Sequence, residues 1–198
     1  VSAGARQASD VARSIVRLVQ QWNLLCWLRA DKQAGDRTST EAYDVHYSLR
    51  RPAEKSASIS CVGITANLQG MRADLLIPDD VETQKNSLTQ LQREQLALLT
   101  KEFSAICTHG KILYLGTPQS KDSLYKSLPS RGYSIRIWTS RYPTNDELKH
   151  YRQDELAPII LERIAADPAL QTGEGTYRNN QLQLYPARQD LLFRLLLR

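Results

Sequence analysis

Three short apolar runs constrain this chain more than any other feature: Leu75-Leu76-Ile77, Ile112-Leu113-Tyr114-Leu115 and Ile135-Arg136-Ile137-Trp138. The first two are unbroken, which suits strands buried on both faces of a parallel sheet, whereas residues 133–138 alternate with period two around Ser134 and Arg136. The stretches between them carry helical periodicity instead. Leu91, Leu96, Leu98, Leu99, Phe103 and Ile106 recur in a Gln/Glu/Lys-rich segment, which predicts a helix over 87–106. Val11, Ile15, Leu18, Val19, Trp22 and Leu25 predict an amphipathic helix over about 8–28, opened by Ser9-Asp10. Asn145 opens a charged helix reaching about Ala166, and 190–198 has the composition of a closing helix. Alternation at Tyr43, Val45 and Tyr47 predicts one further strand, residues 59–64 another, and Val1-Ser2 reads as the tail of a strand. Strands alternating with helices define an α/β domain with a mainly parallel sheet flanked by helices.

In open parallel sheets, ligands gather outside the carboxyl ends of the strands. Two strands here end in chemistry. The first delivers Pro78-Asp79-Asp80, an apolar strand tipped with two acids. One acid can hold magnesium, which prefers oxygen ligands and keeps several waters, while the second orients or deprotonates an attacking water. Pro78 lacks a backbone donor and must sit at a strand end or on a non-bonding side. The second strand ends in Gly116-Thr117-Pro118-Gln119. Gly116 permits a tight turn, and Thr117 and Gln119 are short polar groups able to sense a phosphate or a water. Either tip alone is also what an ordinary strand-to-loop turn carries. Strand, acids, helix, strand and polar tip form one crossover unit, which places the two ends side by side. A nucleotide-binding rim and a pair of plain turns both remain open at this point.

Composition excludes several classes. Cys26, Cys61 and Cys107 are odd in number and far apart, and His46, His109 and His150 are equally dispersed, which fits neither a zinc site nor a disulfide framework and suits a reducing cytoplasm. No apolar run has the length of a membrane span. A net charge of +5 is compatible with nucleic acid or nucleotide phosphates, although the cations are scattered. Lys121, Lys126, Arg131, Arg136 and Arg141 either face DNA or are solvated edge charges. Trp22, Trp27 and Trp138 are expected in the core.

Residues 60–82 (SCVGITANLQGMRADLLIPDDVE), 112–119 (ILYLGTPQ), 123–126 (SLYK) and 131–143 (RGYSIRIWTSRYP) occur in order. Together they resemble the ATPase region of bacteriophage terminase large subunits, in particular the DNA maturase B type of short-tailed phages. The likeness runs from about Val1 to Ala166 and is loose beyond Asp167. It implies a RecA-like P-loop NTPase core (the ASCE branch), with ATP and Mg2+ as cofactors. It implies a motor domain over 1–166 and, over 167–198, a connection toward a nuclease domain. By resemblance Asp79 matches the magnesium-binding acid, Asp80 the catalytic carboxylate, and Gly116-Thr117-Pro118 the coupling motif, with Gly116, Thr117 and Gln119 at the nucleotide. Arg72 matches an arginine used for phosphates or as a finger into a neighbouring subunit, or else it forms a structural ion pair with Asp74 or Glu82. Implied partners are double-stranded phage DNA, a terminase small subunit, the portal or procapsid, and further copies in a ring, in the cytoplasm of a bacterial host. The 198 residues contain no GxxxxGK[ST] loop, and Pro78 stands where the family has a small or aliphatic residue. The expected explanation is a motor fragment whose phosphate-binding loop lies upstream. A truncated prophage relic, a non-catalytic binding module of the same fold and a helicase-like ATPase are the alternatives.

Overall fold

The computed structural model describes residues 1–51, 54–139, 141–152 and 154–172, together with the backbone of 193–197. Its sheet is built around β3 (Leu75–Leu76) and β4 (Lys111–Gly116), which pair in parallel with Leu76 opposite Ile112. Both strands are apolar on alternate positions that reach the core: Leu76, Ile112 and Tyr114 are buried. The pairing runs on past β3. The Leu115 amide donates to the Pro78 carbonyl at 2.9 Å, and the Asp80 amide donates to the Leu115 carbonyl at 2.9 Å. Pro78 thus supplies only its acceptor, as its missing N–H requires. On the other side, the Asp79 amide donates to the Val1 carbonyl at 2.7 Å, and Ser2 bridges in parallel to both Asp79 and Gly63. Val1-Ser2 is therefore a strand segment, as its sequence suggests, lying between residues 62–64 and 77–79.

Beyond β4 the sheet changes character. β6 (Phe193–Leu197) lies antiparallel between β4 and β5 (Ser134–Trp138), giving the order β3-β4-β6-β5. The sheet is thus mixed: parallel on one side of β4 and antiparallel on the other. The expected closing helix over 190–198 is corrected to this strand over its described part. A short apolar run does not distinguish the two periods, and unpaired backbone along β4 and β5 offers a strand two ladders at once. Expectations over 173–192, including the loop, lie outside the described residues.

The helices are shorter than periodicity alone suggests. α1 (Ala5–Gln21) gives way at Trp22 to a 3-10 turn over Asn23–Leu28. Its buried face is Ala8, Ala12 and Val19, with Val11 and Leu18 outside. Small residues let the helix approach the sheet closely: a Cβ on Gly63 would stand 2.9 Å from the Ala5 backbone nitrogen. The consequence corrects the core assignment of two tryptophans, since Trp22 is 54% and Trp27 59% exposed. Trp138 does pack, half-buried, against the core.

The single helix expected over 87–106 is divided into α2 (Gln84–Ser87), α3 (Gln90–Lys101) and α4 (Phe103–Ile106). Thr83 and Thr89 each close a capping box with the residue three positions on, Asn86 and Gln92, so α2 and α3 each have their own start signal. α5 (Leu124–Ser127) follows β4. The helix expected from Asn145 to Ala166 breaks into α6 (Asn145–Leu148) and α7 (Pro158–Ala166). Between them the chain pairs with β5: the Ile137 amide donates to Glu155 at 2.7 Å, and the Ala157 amide donates to Ile137 at 2.9 Å. Pro158 then opens α7, where a missing donor costs nothing.

The core is aromatic at its centre. Phe103, Tyr114 and Tyr133 stack in sequence, with the last two edge-to-face at 5.3 Å, a favoured arrangement for ring quadrupoles. The excursion between α1 and β3 is held differently. There β1 (Ala42–Tyr43) pairs antiparallel with β2 (Ile59–Ser60). Buried Asp36 and Asp44 are joined by Arg50, at 2.6 and 3.4 Å, and Arg37 makes two bonds to Asp44, at 2.8 and 2.9 Å. The strand expected to run through Tyr47 stops at Tyr43 because Tyr47–Leu49 turns into a 3-10 helix capped by His46.

Candidate functional site

The parallel pairing of residues 75–79 with β4 carries both strand tips to the same rim. Backbone geometry there is unusual at one residue. Asp80 has φ 44°, in the left-handed region that few residues other than glycine enter, though Asp and Asn do so most readily. This turn swings the chain out of the sheet directly after Asp79, so the two consecutive carboxylates no longer alternate as strand neighbours do.

Asp80 is solvent-exposed as a residue, but its carboxyl loses water against the loop after β4. That desolvation, and next the charge of Asp79, raise its pKa above the ordinary value; a hydrogen bond from the Thr117 backbone amide offsets part of the rise. The same bond shows that the second acid and the Thr117 tip meet. Asp79 is half-buried, and its carboxylate accepts no hydrogen bond among the described residues. A carboxylate left uncommitted at a rim, beside a second acid, fits a magnesium ion, which binds through one or two carboxylates plus substrate phosphates.

The loop after β4 is folded back on itself. The Gln119 side-chain amide donates to the Thr117 carbonyl at 3.3 Å, while its backbone amide donates to Glu82 at 2.9 Å. Gly116 has a packing reason as well as a position at the rim. A Cβ there would fall 1.9 Å from the Tyr125 hydroxyl, so the glycine makes room for a fully buried tyrosine. The Tyr125 hydroxyl, pushed well above its usual pKa chiefly by burial, lies within the field of Asp79, Asp80 and Glu82.

Arg72 is not brought to this rim. It precedes β3, at the opposite end of the strand from Asp79, and a rise of about 3.3 Å per residue puts the two ends roughly 16 Å or more apart. Its guanidinium donates to the Met71 carbonyl at 2.9 Å, and no ion pair joins it to Asp74 or Glu82 among the described residues. Of the candidate DNA-facing cations, three are committed elsewhere. Arg131 bonds the Thr100 hydroxyl at 3.0 Å and lies over the Tyr133 ring. Arg136 bonds the backbone carbonyls of Ile135 and Asp154, and Arg141 pairs with Glu147. Lys121 and Lys126 are exposed.

Sequence reasoning missed Glu82 as a member of the site. It is 2% exposed and accepts from the Gln119 amide at 2.9 Å, the Ser123 hydroxyl at 3.0 Å and the Leu124 amide at 2.6 Å. The signal available in sequence was its place two residues after the acid pair, where an apolar Val81 separates it from Asp80.

No protein-family profile matches the chain. Among curated proteins it is similar to the terminase large subunit of Enterobacteria phage T3, at 42% identity over 132 residues. The match takes in 65% of this chain but 22% of that relative, so the chain spans less than a quarter of the protein it resembles. This degree of identity supports a terminase-like fragment with a mixed helix and sheet fold that includes a small parallel sheet. Among the described residues no helix is long and apolar enough to cross a membrane.

Proposed function

We propose that this chain is the ATP-hydrolysing portion of a phage terminase large subunit, of the DNA maturase B type, which couples ATP hydrolysis to the packaging of double-stranded DNA into procapsids. The observation that carries the proposal is the parallel pairing of Asp79 and Asp80 with Leu115, two residues before Thr117, which brings both strand tips to one rim. A RecA-like core presents acids and a polar sensor in this relation. The identity with the phage T3 protein supports the same assignment.

Each residue has a distinct part. Asp79 would hold Mg2+, whose charge neutralises the phosphates during transfer. Asp80 orients the attacking water and accepts its proton, and its raised pKa makes it a stronger base than an ordinary carboxylate. Thr117, tied to Asp80 through its amide, registers the state of the γ-phosphate, and Gln119 extends the same loop. Little covalent help is needed, because phosphoryl transfer is governed by positioning and charge. The phosphate cradle, a backbone loop with a lysine, belongs in this proposal to a segment outside these residues. Arg72, remote from its own rim, fits a contribution to a neighbouring copy in a ring. The small subunit and the portal would be further partners.

One observation favours a second reading: with no GxxxxGK[ST] in the sequence, a relic that keeps the sheet and hydrolyses nothing has the same features. ATPase assays on the intact gene product, with prohead and DNA present, separate the two. Turnover is expected, and Asp80→Asn is expected to retain ATP binding while losing turnover by several orders of magnitude, on the scale of lost catalytic groups. Unchanged turnover in that variant removes Asp80 from the chemistry.

A further inference from the structure

We propose that Glu82 is a positioning residue that clamps the loop after β4 to the acid strand and thereby sets Thr117 and Gln119 against Asp80; this rests on the ATPase reading of the rim. Glu82 follows Asp80 by two residues and turns inward where the acids turn outward, and its side chain is almost fully enclosed. A buried carboxylate is retained only where its lone pairs are filled. Here one oxygen accepts the Gln119 amide, and the other accepts the Ser123 hydroxyl and the Leu124 amide. These three donors lie 37 to 42 residues away in sequence, on the loop and on the first turn of α5. These are the hydrogen bonds that tie the Glu82 side chain to that loop and to α5 among the described residues.

The geometry gives the clamp its consequence. The Asp80 amide donates to the Leu115 carbonyl at 2.9 Å, two residues before Thr117, so Thr117 is set against Asp80 by backbone and has no rotamer with which to correct a displaced loop. Gln119 is fixed by its own backbone bond to Glu82 on one side and its side-chain bond to Thr117 on the other. Tyr125, buried beneath Gly116, stops the loop from sinking but does not hold it laterally. Release of Glu82 therefore lets the sensor loop drift while the nucleotide-binding elements stay intact. Because α5 hangs on the same carboxylate, any movement of the acid turn is transmitted to it as well.

The test uses the intact protein. Glu82→Gln keeps the volume but presents an amide N–H2 toward donors that have nothing to accept it. Turnover is expected to fall roughly 100-fold, the scale of a displacement of about 1 Å at a reacting centre, with the KM for ATP and the melting temperature little changed. Combining Glu82→Gln with Thr117→Ala is expected to be no worse than the more damaging single change, since both act through one loop. Hydrogen exchange over residues 117–125 should quicken in Glu82→Gln, a readout that does not require hydrolysis. Wild-type turnover, losses that multiply, or unaltered exchange each overturn the clamp. If Glu82→Gln does not fold, Ser123→Ala, which removes one donor of the three, is expected to give a smaller loss with the same non-additivity, and full additivity there overturns it. Absence of ATP turnover by the intact wild-type protein would instead dismiss the ATPase reading, while faster exchange in Glu82→Gln left the clamp itself standing.

Discussion

Asp80 shows how a single residue can reconcile fold and chemistry. At φ 44° it occupies backbone space in which a Cβ is penalised. Two substitutions isolate that cost, because both remove the carboxylate and its bond from Thr117. Asp80→Gly is expected to be more stable than Asp80→Ala by about 1 kcal/mol, the reverse of the order found in a helix. Denaturant unfolding of the purified chain measures the difference; an alanine variant equal to or firmer than the glycine variant would mean that the turn is unstrained. The acid pair itself was legible in sequence, because two aspartates after an apolar strand have few other positions to take. The left-handed turn was not, since nothing in Pro78-Asp79-Asp80-Val81 demands it locally. It is imposed by pairing on both flanks, from Val1 on one side and Leu115 on the other. Glu82 escaped notice for a similar reason: its three donors are remote in sequence, and a glutamate carries no mark of being buried.

At the scale of elements, short strands were easier to read than helices. β3 and β4 coincide with unbroken apolar runs and β5 with an alternating one, patterns that leave a short segment little else to be. Helix ends were misjudged wherever tertiary pairing or a cap intervened, as where residues 155–157 leave the helical pattern to bond β5. The excursion that ends at β2 was read as two strands joined by loop and turn, and it is further held by an ion network whose pH response can be worked out. Burial pushes the Asp44 carboxyl up, but the Arg37 guanidinium, the Arg37 and Ser58 amides and the Arg37 charge outweigh it and hold its pKa below the ordinary 3.8. A carboxyl depressed on folding contributes stability that is present above its unfolded pKa and is lost as pH falls through the folded one. Stability should therefore be level across neutral pH with respect to this group and decline only below about pH 4. Asp44→Asn should be less stable at neutral pH by roughly 3 kcal/mol, the cost of breaking a buried pair, and should lack this acid decline. Urea titrations at a series of pH values compare the two; parallel curves would show that Asp44 carries no linkage.

At the scale of the whole molecule, the proposed function asks this chain for one side of a nucleotide site. Its rim offers acids and a polar loop, and acids alone repel a triphosphate. The Gln119 amide is already spent on Glu82, so that backbone donor is not available to cradle phosphate oxygens. The net charge of +5 attracts anions to the surface generally, and Arg131, Arg136 and Arg141 are tied to Thr100, to backbone carbonyls and to Glu147. Electrostatics of that diffuse kind raises encounter rates without fixing a γ-phosphate in line for attack. On the proposed reading, the purified chain is expected to release phosphate from ATP and Mg2+ at the background rate and the intact gene product is expected to turn over, the cradle of backbone amides and a lysine being supplied from outside these residues. Phosphate release measured on both proteins, at equal concentration and with the same DNA and proheads, decides the matter. Turnover by the chain at the rate of the intact protein would mean that the phosphates are held by groups within these residues, and the division of labour drawn here between acid rim and missing cradle would be wrong.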